Sequence, residues 1–173
     1  MNQTRKKSQH LRMLVYSAIL AALVCVFTAY VGHIPTATGY IHFGDSMIYL
    51  AACLLPAPWA MAAAGIGAAL ADVLSGVPVW APWTLVIKAL MVPAFTCRQE
   101  KILCPRNILA LLIGAAVTIF GYYFANYFVY GELTALLTSL PAGLYQSGGS
   151  TLVFLVIAAA FDRARIRQRL LAY

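Results

Sequence analysis

The chain has 173 residues, 62% of them hydrophobic and only 10% charged. Soluble domains carry about 25% charged residues, and a water-soluble fold of this composition would leave most of its exterior apolar, so lipid is the expected solvent for much of it. Twelve Lys and Arg against five Asp and Glu give a net charge of +7, a bias that suits either nucleic acid or an anionic membrane surface until the basic residues are placed.

They fall in three blocks: Arg5, Lys6, Lys7 and Arg12; Arg98, Lys101 and Arg106; and Arg163, Arg165, Arg167 and Arg169. Lys88 alone stands apart. Between the blocks lie apolar stretches approaching the length of membrane spans, roughly 17 to 25 residues. In chain order they cover residues 13–31, 45–55, 59–74, 79–95, 107–130 and 142–161. The second is short, and Pro56-Ala57-Pro58 alone separates it from the third, so a re-entrant pair is an alternative there. With six spans and the amino terminus inside, all three basic blocks lie in the cytoplasm, as the positive-inside rule requires. An odd count would put the Arg-rich tail outside. The expected fold is therefore an all-α integral membrane protein, a compact bundle of six transmembrane helices. It forms a single domain over residues 1–173, with residues 1–12 and 162–173 as basic cytoplasmic ends that contact anionic lipid rather than nucleic acid.

The first apolar run exceeds the 7 to 15 residues of a signal-peptide core and is expected to stay as a helix. Cys25 and Cys53 fall within spans and Cys97 and Cys104 on the reducing side, so no disulfide framework is expected. Cys97 and Cys104 lack zinc-site spacing, and His33 and His42 are too few for a metal site. Neither a metal nor a cofactor is expected.

Function is sought where polar groups sit in lipid, at about 2.5–3.5 kcal/mol for an ionised residue near a helix centre. Asp72 ends a run of small residues, and Lys88 follows Trp80, Trp83 and Thr84 in the next span. Both point to an aqueous cavity or to each other, the bland alternative being a structural salt bridge between spans three and four. The loop from His33 to Asp45 combines Tyr40, His42 and Asp45 with Gly39 and Gly44, and could fold over a ligand. Capping of the following helix would equally explain Asp45. Near the end of the fifth span Tyr123, Asn126, Tyr127 and Tyr130 recur at helical spacing. That face offers stacking and hydrogen bonding to a planar ligand, although an interfacial aromatic belt also accounts for the tyrosines. Gln146 adds a second amide, and Gly148 and Gly149 permit close helix packing.

The segments Gly39-Tyr40-Ile41-His42-Phe43-Gly44-Asp45, Ala68-Ala69-Leu70-Ala71-Asp72-Val73-Leu74-Ser75-Gly76 and Trp80…Thr84…Lys88 resemble the substrate-binding S components of energy-coupling-factor (ECF) vitamin transporters. The resemblance extends over nearly the whole chain. It implies a multi-pass protein of a prokaryotic plasma membrane that captures a water-soluble vitamin from outside. The pocket would lie between the first loop and the outer halves of spans four to six, and the partners would be a transmembrane coupling subunit and two cytoplasmic ATPases. It also implies that Ala18 and Ala22, matching an alanine-x-x-x-alanine signature, dock on the coupling subunit, although Ala60, Ala64 and Ala68 make an equally good small-residue strip. The whole S component would topple in the membrane to release its ligand inward.

No phosphate-binding loop of the Gly-x-x-x-x-Gly-Lys-Ser/Thr kind is present, so energy is expected from a partner or a gradient. Nor does Ser147-Gly148-Gly149-Ser150 form a nucleophile elbow, and no enzyme is expected. The alternatives are a gradient-driven carrier or a non-catalytic assembly subunit. The candidate substrate-binding residues are Tyr40, His42, Trp80, Trp83, Thr84, Lys88, Tyr123, Asn126, Tyr127 and Gln146. Lys88 would donate from the floor while Trp80, Trp83, Tyr123 and Tyr127 stack around the ligand. Such a set suits a flat heterocycle such as riboflavin, a pyrimidine or pyridine vitamin precursor, or a queuosine precursor. Pantothenate would suit Lys88 but leave the aromatic face unused.

Overall fold

An uninterrupted apolar run with no internal proline or glycine makes α1 (Gln3–Ala29) a single long helix, and Gly32 at φ 65° turns the chain at its end. The computed structural model describes residues 3–36, 39–131 and 135–171, with side chains described over residues 7–35, 40–131 and 140–168. After α1 come two short strands, β1 (Ile34–Thr36) and β2 (Gly39–Ile41), paired antiparallel with Pro35 opposite Tyr40. This hairpin departs from the all-helical expectation, and it organises the first loop. Then follow α2 (Asp45–Leu54), α3 (Ala57–Leu74) and α4 (Ala81–Met91), the last flanked by single 3-10 turns at Pro78–Trp80 and Val92–Ala94. The chain closes with α5 (Pro105–Tyr130), α6 (Ala135–Arg163) and the short α7 (Ile166–Leu171).

Punctuation residues set several of these bounds. Proline at the first turns of α3, α4 and α5 gives up only an amide that has no intrahelical partner there. Gly131, left-handed at φ 71°, ends α5, its N–H bonding Tyr127 O at 2.8 Å, as left-handed glycine caps do. Pro141, expected just ahead of the sixth span, lies inside α6 instead.

Four helical segments are long and apolar enough to cross a membrane: Lys7–Ala29, Ala57–Leu74, Pro105–Tyr130 and Leu140–Arg163. Two more, Asp45–Leu54 and Pro78–Ala94, are apolar but shorter. The brevity of α2 follows from its position. Every residue from Asp45 to Cys53 is buried, the mark of a helix enclosed on all sides. Ten residues rise about 15 Å, roughly half the hydrocarbon thickness. Around it pack α1, α3 and α6, and Tyr49 stacks on Phe95 at 5.2 Å and meets Phe154 edge-on at 5.7 Å.

The outer surface is apolar, with Leu14, Leu70, Leu109, Leu112, Phe120, Leu152 and Val156 all exposed. An apolar exterior of this extent needs lipid rather than water.

At the end of the bundle carrying the middle basic block, two buried polar side chains shape the loop between α4 and α5. Asn107 accepts from Thr96 N at 2.8 Å and donates to Thr96 O and Ile102 O. Asp162 accepts from the N–H groups of Ile102 and Leu103 at 2.8 and 3.0 Å. Both satisfy loop backbone that would otherwise be orphaned.

Candidate functional site

The hairpin end of the bundle gathers polar groups from five elements. At its centre Lys88 of α4 and Asp45 of α2 form an ion pair, Nζ lying 2.7 Å from Oδ1 and 2.9 Å from Oδ2, with both side chains 0% exposed. Gln146 of α6 donates from Nε2 to Asp45 Oδ2 at 3.0 Å. The ring of Tyr122, from α5, lies 5.2 Å from Lys88 Nζ, in the position of a cation–π contact. Burial of two charges in apolar surroundings is tolerable only when each is paired and its remaining valences are satisfied. Here Asp45, Gln146 and Tyr122 meet that requirement together.

Two expectations are corrected by this arrangement. Lys88 does not pair with Asp72, because Asp72 sits at the rim while Lys88 is two turns deep, and a different carboxylate reaches that depth. Nor is Asp45 a capping residue: Gly44 occupies the cap position and no side chain caps the helix. Asp45 lies deep because α2 is too short to reach the rim, so the loop must descend into the bundle before the helix begins.

Close packing holds that descending loop. Gly44 sits against α1 so tightly that a Cβ there would fall 2.9 Å from Thr28 Cα and closer still to Thr28 Oγ1. The ring of Phe43 is gripped between Gly32 and Gly149, where a side-chain carbon at either glycine would overlap it. The close packing expected of Gly149 is therefore found, whereas nothing lies within 4 Å of a Cβ built on Gly148.

Above the ion pair a second set of contacts joins the hairpin to α3. Tyr40 donates its hydroxyl to Asp72 Oδ1 at 2.6 Å and stacks on His33 at 4.2 Å. Burial, with the Asp72 carboxylate beside it, pushes the Tyr40 phenol well above its ordinary pKa, so it remains a donor. His42 is buried and accepts from Gly44 N through Nδ1 at 3.0 Å. Burial pushes its pKa down to about 3 against the opposing pull of Asp45. A neutral imidazole with a free Nδ1 lone pair is what that hydrogen bond requires.

The aromatic wall is arranged differently from the expected helical face. Tyr122, Ala125 and Asn126 turn inward on α5, whereas Tyr127 is 42% exposed and Tyr130 is exposed as well. Tyr122 is bonded to Thr84 through their hydroxyls at 2.9 Å and meets the buried Trp80 edge-on at 6.1 Å. Trp83 lies parallel to the exposed Phe128 at 5.5 Å, and Tyr123 packs on its neighbour Phe124. Asn126 donates to Tyr122 O at 2.9 Å within its own helix. Of the candidate residues, the structure therefore brings Tyr40, His42, Trp80, Thr84, Lys88, Asn126 and Gln146 to the interior of this end. Trp83, Tyr123 and Tyr127 lie towards its outer surface. Tyr122 and Asp45 are the central members that the sequence pattern did not select. Among the described residues no group of three or more His, Cys, Asp or Glu could hold a metal ion.

On α1, Ala18 and Ala22 are exposed and lie on an outward face with Leu11, Leu14, Val15 and Ile19. The competing strip of Ala60, Ala64 and Ala68 is 0% exposed and used inside the bundle, where α3 packs closely on α1 and α4.

Comparison with known proteins gives this architecture a family. The profile of the ECF-type riboflavin transporter, S component, matches residues 8–163. The chain belongs to that family, and is thus a multi-pass membrane protein and a transport subunit. It is also 40% identical over 101 residues to a Pyrococcus woesei protein described as "uncharacterized protein in gap 3'region". The aligned segment takes in 57% of this chain and 66% of that protein's length, a little under two thirds of it.

Proposed function

We propose that this chain captures riboflavin, or a close flavin-like heterocycle, at the hairpin end of the bundle and hands it to an ATP-driven ECF complex. The family supplies the substrate class, and one observation in the site carries the choice within it: the buried cation is already neutralised. Lys88 has its counter-ion in Asp45, so an anionic ligand such as pantothenate would bring an uncompensated charge into the interior. A neutral, flat ring system would not. The third N–H of the Lys88 ammonium and the remaining lone pairs of Gln146 suit the carbonyl and imide edge of a flavin. Trp80 and Tyr122 offer faces and edges for its rings.

Under the positive-inside rule the three basic blocks face the cytoplasm. That places the hairpin end outside, both termini inside and six helices across the membrane, with α2 enclosed by the others. The exposed strip at Ala18 and Ala22 serves as the docking face for the transmembrane coupling subunit, since small side chains one turn apart allow close helix approach. Two cytoplasmic ATPases complete the complex and supply the energy.

Selectivity among vitamins tests the reading. Detergent-purified protein titrated by intrinsic tryptophan fluorescence is expected to respond saturably to riboflavin. Its affinity for pantothenate should be lower by at least about a hundredfold, the equivalent of about 2.7 kcal/mol. Equal affinity for the anion would overturn the neutral-ligand assignment, and no response to riboflavin in ligand-free protein would overturn the substrate.

A further inference from the structure

A second polar site lies at the other end of the bundle and has no part in vitamin capture. Asp162 follows Gln146 by sixteen residues of α6, about 24 Å along the helix. Beyond it α6 ends, and Arg165, in the left-handed conformation at φ 51°, turns the chain into α7. This turn inserts Arg167 into the bundle end. Arg167 is only 3% exposed, and its Nε, Nη1 and Nη2 are all buried without a hydrogen-bond partner among the described residues.

A guanidinium cannot relieve such a situation by losing its proton, and a buried charge without a partner is strongly unfavourable. The nearby carboxylates do not supply one. Asp162 forms no ion pair with it, and both Asp162 oxygens are committed to the backbone of Ile102 and Leu103. Glu100 is exposed. Arg167 does, however, line a cavity of about 330 Å³ whose other walls include Lys101, Arg165, Phe161 and those two carboxylates. Three cations thus surround a space large enough for an anion of several heavy atoms.

We propose that this cavity binds a phosphate group, with Arg167 as its bidentate partner and Lys101 and Arg165 completing its neutralisation. The planar fork of arginine matches two phosphate oxygens, and a tetrahedral anion leaves its other oxygens for the two rim cations. The phosphate reaches the cavity either as the headgroup of an anionic phospholipid, for which Phe161 provides an apolar wall, or as free phosphate.

Native mass spectrometry of the full chain in detergent, with phosphatidylglycerol added, and calorimetric titration of delipidated protein with inorganic phosphate separate the two sources. Retention of the lipid without phosphate binding assigns the headgroup, and saturable phosphate binding assigns the free anion. In either arm Arg167→Ala is expected to weaken binding at least about tenfold, while Arg163→Ala, on the exposed end of α6, leaves it unchanged. Should Arg167→Ala fail to fold, the rim double variant Lys101→Gln with Arg165→Gln is expected to weaken binding about twofold to fivefold. Absence of binding in both arms overturns the site. So does wild-type affinity in folded Arg167→Ala, or in the rim variant where Arg167→Ala does not fold.

Discussion

Replacing Lys88 by Ala is expected to destabilise the folded protein by about 3–5 kcal/mol, because it leaves Asp45 as an uncompensated buried charge. The magnitude follows from the geometry. Both residues are fully buried and both carboxylate oxygens lie within 2.9 Å of the ammonium, so water cannot take the lysine's place. For a chain of this size each kcal/mol lowers Tm by about 2–4 °C, so thermal unfolding in detergent should shift by about 10 °C or more. The double variant Lys88→Met with Asp45→Asn removes both charges and keeps an amide oxygen for Gln146. It is expected to regain most of the loss, as neutral replacements of buried pairs commonly do. A single variant within about 1 kcal/mol of wild type would mean that the pair is hydrated and the site open.

The second large effect is expected at Gly44. An alanine there meets Thr28 at both its hydroxyl and its backbone, so α1 and the loop must separate. Overpacking of this kind costs about 1–3 kcal/mol. Its position adds a functional consequence, since Gly44 precedes Asp45 and donates its N–H to His42. Gly44→Ala should therefore lower stability and vitamin affinity together. Thr28→Gly in the same chain should restore part of both by removing the atoms in the way. Gly44→Ala with wild-type stability would show that the loop is not seated on α1.

How far the sequence carried the reading can be judged from these same residues. The long helices were legible because apolar runs and basic blocks obey the membrane's constraints directly, and their segments emerge close to the expected ranges. The depth of α2 was not. A ten-residue helix gives no signal of where along the membrane normal it lies, and that depth brings Asp45 rather than Asp72 to Lys88. Residue spacing on α5 was legible as helical, but the inward face was not, since aromatic side chains are as well suited to lipid as to a binding site. Tyr122, one position before the selected face, turned out to be the inward tyrosine. Lys88 and Gln146 were found because a cation and an amide in an apolar span are conspicuous. The same test would have singled out Asn107 and Asp162, whose work is to hold a loop.

The claim that the vitamin occupies the buried polar and aromatic end is tested most directly by asking which tryptophan reports binding. Trp80 packs inside against Tyr122, whereas Trp83 lies parallel to the exposed Phe128. Riboflavin titration should therefore retain its fluorescence response in Trp83→Phe and lose most of it in Trp80→Phe. A response carried by Trp83, with Trp80→Phe indistinguishable from wild type, would place the ligand outside this site and contradict the account.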